Sequence, residues 1–251
     1  MPIRDRRMTQ AYFDGSIEWY RQAIKKNIDI VATTPGHDPK YRAQFIFQIF
    51  LYHCELLITL YSRGDDLAEL KAFLPKVVKA WDQAYEAELK VFTPEEMAGR
   101  KQFSQNLDIY IVCFWLFSIA VCLDADDALL QRMLKIIGNE GEDALFDRCV
   151  SRRLPGMQIG KKLLYPRPYQ PLFDALDAPK EKKAPLAARF LKNWYEGCKR
   201  TYWHNSARDE DSGYFGFWSF EAALVVRLWE IDDSAFADHP NYPRDLVHWK
   251  R

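Results

Sequence analysis

The sequence predicts an all-α protein built from many helices. Apolar residues recur at spacings of three and four through most of the 251-residue chain, which is the period of one helix face. No stretch of strict apolar–polar alternation exceeds about five residues, so the pattern does not call for strands. The apolar run from Ile109 to Leu123 is shorter than the roughly 18–20 residues that span a bilayer, and it indicates a helix buried on all sides.

Four helices are expected in an N-terminal domain, residues 1–123. The first covers residues 10–30. Asp38-Pro39 opens the second and Gly64 lies just past its end, because Asp and Pro favour helix starts and Gly favours helix ends. The third covers residues 66–91. Thr93-Pro94-Glu95-Glu96 combines a capping Thr, a Pro at the first helical position and a Glu at the third, and it predicts a fourth helix that carries the apolar run to Leu123.

The second domain, residues 124–251, is also expected to be helical, with shorter helices and proline-rich connections. The stretch around Lys180-Glu181-Lys182-Lys183, bounded by Pro179 and Pro185, predicts a solvated linker. A further helix is expected over residues 217–230.

Composition narrows the class of protein. Lys plus Arg equals Asp plus Glu, at 35 each, so net charge gives no reason to expect a nucleic-acid or membrane partner. The five cysteines are odd in number and form no CxxC pair, which indicates buried reduced thiols in a cytosolic protein. No apolar segment follows the charged N-terminus, so we expect no signal peptide and a cytoplasmic location.

The balanced charge hides local asymmetry. Residues 124–147 hold seven acids against two basic residues, residues 151–200 hold twelve basic residues against four acids, and residues 205–238 hold eight acids against two basic residues. These clusters are either solvated helix ends or an acidic face that docks on a basic partner. The candidate partner-binding acids are Asp124, Asp126, Asp127, Asp209, Glu210, Asp211, Asp232 and Asp233.

Catalytic and metal-binding motifs are missing from the sequence. There is no G-x-S-x-G, H-E-x-x-H, P-loop or G-x-G-x-x-G, and the five histidines are scattered, so we expect no enzyme, no metal and no cofactor. Glu221 falls close to the apolar face of its predicted helix, where a carboxylate must be paired or hydrogen-bonded, with backbone N–H groups or an arginine as the expected partners. A structural role is favoured. The alternatives are a helical hydrolase or ribonuclease that uses Glu221 with His204 or His239, and a helical scaffold for an unrelated partner.

Three segments of the C-terminal part resemble one family. They are Gly213–Ala223 (GYFGFWSFEAA), Ile231-Asp232-Asp233 and His239–Val247 (HPNYPRDLV). They resemble the C-terminal signature of the PoNi immunity proteins, most specifically over residues 190–248, and the N-terminal half fits the helical N-terminal domain of that family. The signature is rich in core aromatics, prolines and capping residues, and is expected to be a scaffold motif. Its structural residues are Tyr214, Trp218, Glu221, Tyr242, Pro243 and Asp245.

The resemblance implies a function that needs no catalytic site. PoNi proteins neutralise PoNe-type DNase toxins of the restriction-endonuclease-like superfamily, which are often delivered by type VI secretion. A DNase presents a basic cleft for phosphates, and an acidic protein surface can occupy it or bind beside it. The implied partner is therefore a cognate nuclease toxin, bound through protein–protein contact.

Overall fold

The computed structural model describes residues 2–33, 38–208 and 213–249. Within these ranges the chain forms eleven α-helices and no strand, which confirms the all-α prediction. The helices are α1 (Gln10–Thr33), α2 (Pro39–Arg63), α3 (Leu67–Leu89), α4 (Pro94–Lys101), α5 (Leu107–Cys122), α6 (Asp127–Ile137), α7 (Ala144–Arg153), α8 (Pro166–Asp177), α9 (Lys180–Gly197), α10 (Phe220–Trp229) and α11 (Arg244–His248).

The helices divide between two compact units, and neither unit is a single stretch of chain. Unit 1 comprises residues 1–100, 131–136 and 205–216, and unit 2 comprises residues 101–130, 137–204 and 217–251. The two domains expected from the sequence, residues 1–123 and 124–251, stay a prediction.

Unit 1 contains α1, α2 and α3, with α2 in the middle, because α1 and α3 each pack along α2. The helix ends are those expected from local chemistry. The Asp38 carboxylate accepts the first backbone N–H groups of α2, and Gly64 ends that helix in the left-handed region with φ 109°. α2 is long and apolar enough to cross a membrane by length and composition alone, yet most of its apolar window is buried within the protein.

The fourth helix of the prediction is two helices, so that expectation was wrong in extent. The capping box forms as expected, with the Thr93 N–H donating to Glu96 at 2.8 Å and the Glu96 N–H donating to Thr93 Oγ1 at 3.3 Å. α4 nevertheless ends at Lys101, and Asn106 starts α5 by accepting the Ile109 N–H at 3.1 Å. The chain turns between these helices because Phe103 is buried there.

In unit 2, α10 is the central helix and packs against α5, α7, α8, α9 and α11. α5 is buried almost from end to end, as the apolar run predicted. All five cysteines are buried, and burial raises the pKa of the Cys113 and Cys122 thiols to about 12, which makes them unreactive.

Two further helix boundaries differ from the prediction. The lysine-rich stretch at residues 180–183 is not a linker but the first turn of α9, since a proline is tolerated at the start of a helix and Pro179 occupies the N-cap position. α10 begins at Phe220, three residues later than expected. The Asn241 side-chain amide donates to the Phe217 carbonyl and the Ser219 N–H donates to the Asn241 carbonyl, both at 2.8 Å. These hydrogen bonds hold residues 217–219 outside the helix.

Candidate functional site

The candidate acids Asp124, Asp126 and Asp127 have their carboxylates bound by groups within unit 2. Asp124 accepts a hydrogen bond from Arg227 at 2.7 Å, and Asp127 pairs with Arg153 at the same distance. Asp126 accepts the Leu129 N–H at 2.8 Å near the start of α6. These contacts satisfy the carboxylates within the chain and leave Asp126 and Asp127 at the surface.

The second pair of acids lies after the C-terminal end of α10. Asp232 is exposed and accepts the Ser234 N–H at 3.0 Å, and this hydrogen bond lowers the pKa of the Asp232 carboxyl. Asp233 is buried, where its Oδ2 atom accepts from Tyr242 at 2.9 Å and lies 2.8 Å from His248 Nε2. Only Asp232 of this pair presents its carboxylate to solvent.

The acids Asp209, Glu210 and Asp211, which the sequence predicts to lie in a polar loop just before the aromatic signature, fall outside the described residues. A role in partner binding stays a prediction for all eight acids.

Glu221 is fully buried, with no exposed surface. Its Oε1 atom accepts the Tyr169 hydroxyl at 2.7 Å and the Trp194 indole N–H at 3.4 Å, and its Oε2 atom accepts the Ser219 hydroxyl at 3.3 Å. Burial raises the pKa of the Glu221 carboxyl, and these hydrogen bonds oppose the rise. The sequence correctly placed a carboxylate that needs partners. The partners are three neutral side chains and a backbone N–H group, and no arginine is among them.

The rival enzymatic site does not form among the described residues. Glu221 has no histidine among its hydrogen-bond partners. The His204 ring instead stacks on Tyr195 with centroids 4.2 Å apart, and His239 Nδ1 accepts the Asn241 N–H at 3.2 Å. The described part of the chain also brings together no group of three or more His, Cys, Asp or Glu side chains that could hold a metal ion.

Two acids that the sequence assigned to a surface cluster are buried near the start of α7. Asp143 accepts the N–H groups of Leu145, Phe146 and Leu164 and the Tyr110 hydroxyl. A signal for this role was available, because Asp is a preferred N-cap residue.

The second buried acid, Asp147, ties two loops together through one oxygen. Its Oδ2 atom accepts the N–H groups of Gly160 and Gly141 at 2.9 and 3.1 Å. Burial, together with the nearby Asp143, raises the pKa of Asp147 to about 6, and the hydrogen bonds from Gly160 and Gly141 oppose the rise. No sequence pattern indicated this role, because both donors come from loops brought in by the fold.

The signature residues are built into the two units separately. In unit 1 the Tyr214 hydroxyl donates to the buried Asp5 carboxylate, which also pairs with Arg7 at 3.2 Å. In unit 2 Trp218 and Pro243 are buried, while Asp245 is exposed.

Among the described residues, each unit carries an open groove at its surface. The groove of unit 2, about 690 Å³, has proline walls and includes the exposed side chains of Arg167, Lys199 and Arg200. The groove of unit 1, about 520 Å³, lies among α1, α2 and α3 and has an apolar floor.

Together these features define an all-α protein whose buried acids serve as hydrogen-bond acceptors within its own scaffold. The model of the PoNe immunity protein (PoNi) N-terminal domain matches residues 4–135, and the model of the PoNe immunity proteins (PoNi) C-terminal domain matches residues 141–246. The chain belongs to the PoNe immunity protein family. Membership gives it an immunity role against a nuclease toxin.

A solved structure supports the fold. The chain is similar to the crystal structure of protein PA2201 from Pseudomonas aeruginosa, with a TM-score of 0.75 and 17% identity over 98% of this chain and 89% of that one. A search of curated proteins finds no match to this chain.

Proposed function

We propose that this protein binds a cognate DNase toxin in the cytoplasm and neutralises it by protein–protein contact, without catalysis of its own. The observation that carries the proposal is the match of both family domains, which together cover residues 4–135 and 141–246. The buried polar groups support it, since Glu221, Asp143 and Asp147 are held by donors of the scaffold and not by a substrate cavity.

The test uses a PoNe-type nuclease, sought first among the genes adjacent to that of this chain. The purified nuclease is incubated with plasmid DNA and a divalent metal ion, alone or with an equimolar amount of this protein. We expect cleavage to stop at a one-to-one ratio and the two proteins to co-elute in size exclusion. Unchanged cleavage with no complex would refute the proposal, as would nuclease or esterase turnover by this protein that is lost in Glu221→Gln.

Delivery by type VI secretion is a further part of the proposal. Recipient cells that lack this chain are expected to die beside attackers that carry the toxin and an active type VI apparatus. They should survive beside attackers whose apparatus is inactivated. Killing that is equal with both attackers would contradict this route while leaving toxin binding in place.

The acidic loop at Asp209, Glu210 and Asp211 is proposed to contribute to toxin binding through complementarity with a basic DNA cleft. Reversal of all three charges to Lys is expected to slow association at least tenfold at low salt and to have a smaller effect at 0.5 M salt. Reversal of Lys180, Lys182 and Lys183 to Glu is the control. Equal association rates for the loop variant and the wild type at both salt concentrations would show that the loop is only solvated.

A further inference from the structure

The three-helix layer of unit 1 leaves a groove over its central helix. α1 and α3 each pack along α2 and make little contact with each other. The groove between them has walls from α1 and α3 and a floor that includes Leu56 and Leu60 of α2. A fourth helix laid in this groove would pack on all three helices, as in a helical bundle.

The surface of the groove is apolar where a docked helix would touch it. Leu56, Leu60 and Phe73 belong to the core cluster between α1 and α2 or pack against it, and Leu60 and Phe73 are only partly buried. Ile28 on the α1 wall is 49% exposed. Large apolar side chains that line a concave surface are a feature of helix-binding grooves.

The rim carries charged side chains that no described residue neutralises. The side chains of Arg21 and Lys25 on α1 are exposed and make no hydrogen bond or ion pair with any described residue, and the same holds for the Glu69 side chain on α3. Asp65 is bound to Arg63 at 2.6 Å, and Lys76 lies 5.8 Å from the centre of the Phe73 ring. The unpaired rim therefore has more positive than negative charge, with two adjacent cations along the α1 wall.

We propose that this groove receives an amphipathic α-helix of the nuclease toxin, with an apolar stripe on the floor and acidic residues beside Arg21 and Lys25. The proposal rests on the proposed function. Apolar anchors at spacings of three, four and seven residues would fill the floor, and the acidic flank would match the unpaired cations. The groove therefore predicts the chemistry of the toxin segment that it binds, an apolar stripe with an acidic flank. This contact is distinct from the one proposed for the acidic loop.

The first experiment places a charge in the groove. Ile28→Glu is compared with Leu89→Glu, because Leu89 is 53% exposed and does not line the groove. Binding to a catalytically inactive variant of the nuclease used under Proposed function is measured by calorimetry. We expect Ile28→Glu to raise the Kd at least tenfold, because it places a carboxylate against the apolar stripe of the toxin helix. The Kd of Leu89→Glu should stay within twofold of the wild-type value.

The second experiment tests the rim and does not depend on the first variant folding. Arg21→Glu with Lys25→Glu is compared with Lys26→Glu and Lys79→Glu, two exposed lysines away from the groove that give the same change in net charge. The groove pair is expected to lower the association rate at least fivefold at low salt, and the control pair less than twofold.

The outcomes separate this inference from the proposed function. Wild-type protein that fails to bind the nuclease would refute the proposed function. If the wild type binds the nuclease, and each groove variant binds it as tightly and as fast as its control, the groove inference alone is overturned. Concentration-dependent self-association of the wild type that Ile28→Glu abolishes would assign the groove to a second copy of this chain and would also overturn it.

Discussion

The hydrogen bond from Tyr169 to Glu221 predicts a pH-dependent loss of stability in Tyr169→Phe. The variant keeps the ring packing and removes the hydroxyl that lies 2.7 Å from a fully buried carboxylate. A hydrogen bond to a charged group contributes roughly 1.5–3 kcal/mol. We therefore expect the variant to lose about 2 kcal/mol at pH 8, which corresponds to a fall of roughly 4–8 °C in the Tm of a chain this long.

The sign of the pH dependence follows from the raised pKa of Glu221. The folded pKa lies above its ordinary value of 4.5, so the stabilisation from protonation is fully present below pH 4.5 and is lost as the pH rises through the folded pKa. Removing the Tyr169 hydroxyl raises that pKa further, because this hydrogen bond lowers it in the wild type. The loss of stability in Tyr169→Phe should accordingly be larger at pH 8 than at pH 5.

The assay is urea denaturation at pH 5 and pH 8, with unfolding monitored by circular dichroism. Tyr165→Phe is the matched control in the same unit, since the Tyr165 hydroxyl donates to the backbone carbonyl of Phe103 and its loss should cost about 1 kcal/mol at either pH. In a Glu221→Gln background, Tyr169→Phe should cost only about 1 kcal/mol, with no pH dependence. Equal losses at both pH values in the wild-type background would refute the assignment of a charged buried Glu221.

Two further predictions concern one substitution in each unit. Asp147→Asn should flatten the pH dependence of stability, because the amide oxygen can still accept both glycine N–H groups while the carboxyl with a pKa of about 6 is removed. Wild type should lose stability as the pH rises from 5 to 7 more than this variant does in urea denaturation, and parallel profiles would contradict the prediction. Gly64→Ala should destabilise unit 1 by more than about 2 kcal/mol, since φ is +109° and an added Cβ would lie 2.3 Å from the Pro2 carbonyl oxygen. Gly15→Ala is the control, because Gly15 lies in the interior of α1 and an added Cβ would have nothing within 4 Å. This variant should raise the Tm. A lower Tm for Gly15→Ala would show that the loss in Gly64→Ala cannot be assigned to backbone strain.

The first three helices and the start of α4 could be predicted from the sequence because their determinants are local. The Asp38 cap, the left-handed Gly64 and the Thr93–Glu96 capping box act within one turn of the residues that encode them. The buried character of α5 was equally visible, because its apolar residues are consecutive. The family signature belongs to the same kind of information, since it is carried by short segments of the chain.

The tertiary structure alone decided which acids remain available to a partner. Asp124 and Asp233 look like solvated helix-end residues in the sequence, yet their carboxylates are bound by Arg227 and by Tyr242, which lie 103 and 9 residues away. The break between α4 and α5 and the groove of unit 1 also required the folded chain. The physical reason is that each of these features depends on groups from other segments of the chain. Such groups neutralise the carboxylate, cover the turn and form the walls of the groove. The spacing of residues in one sequence does not specify these pairings.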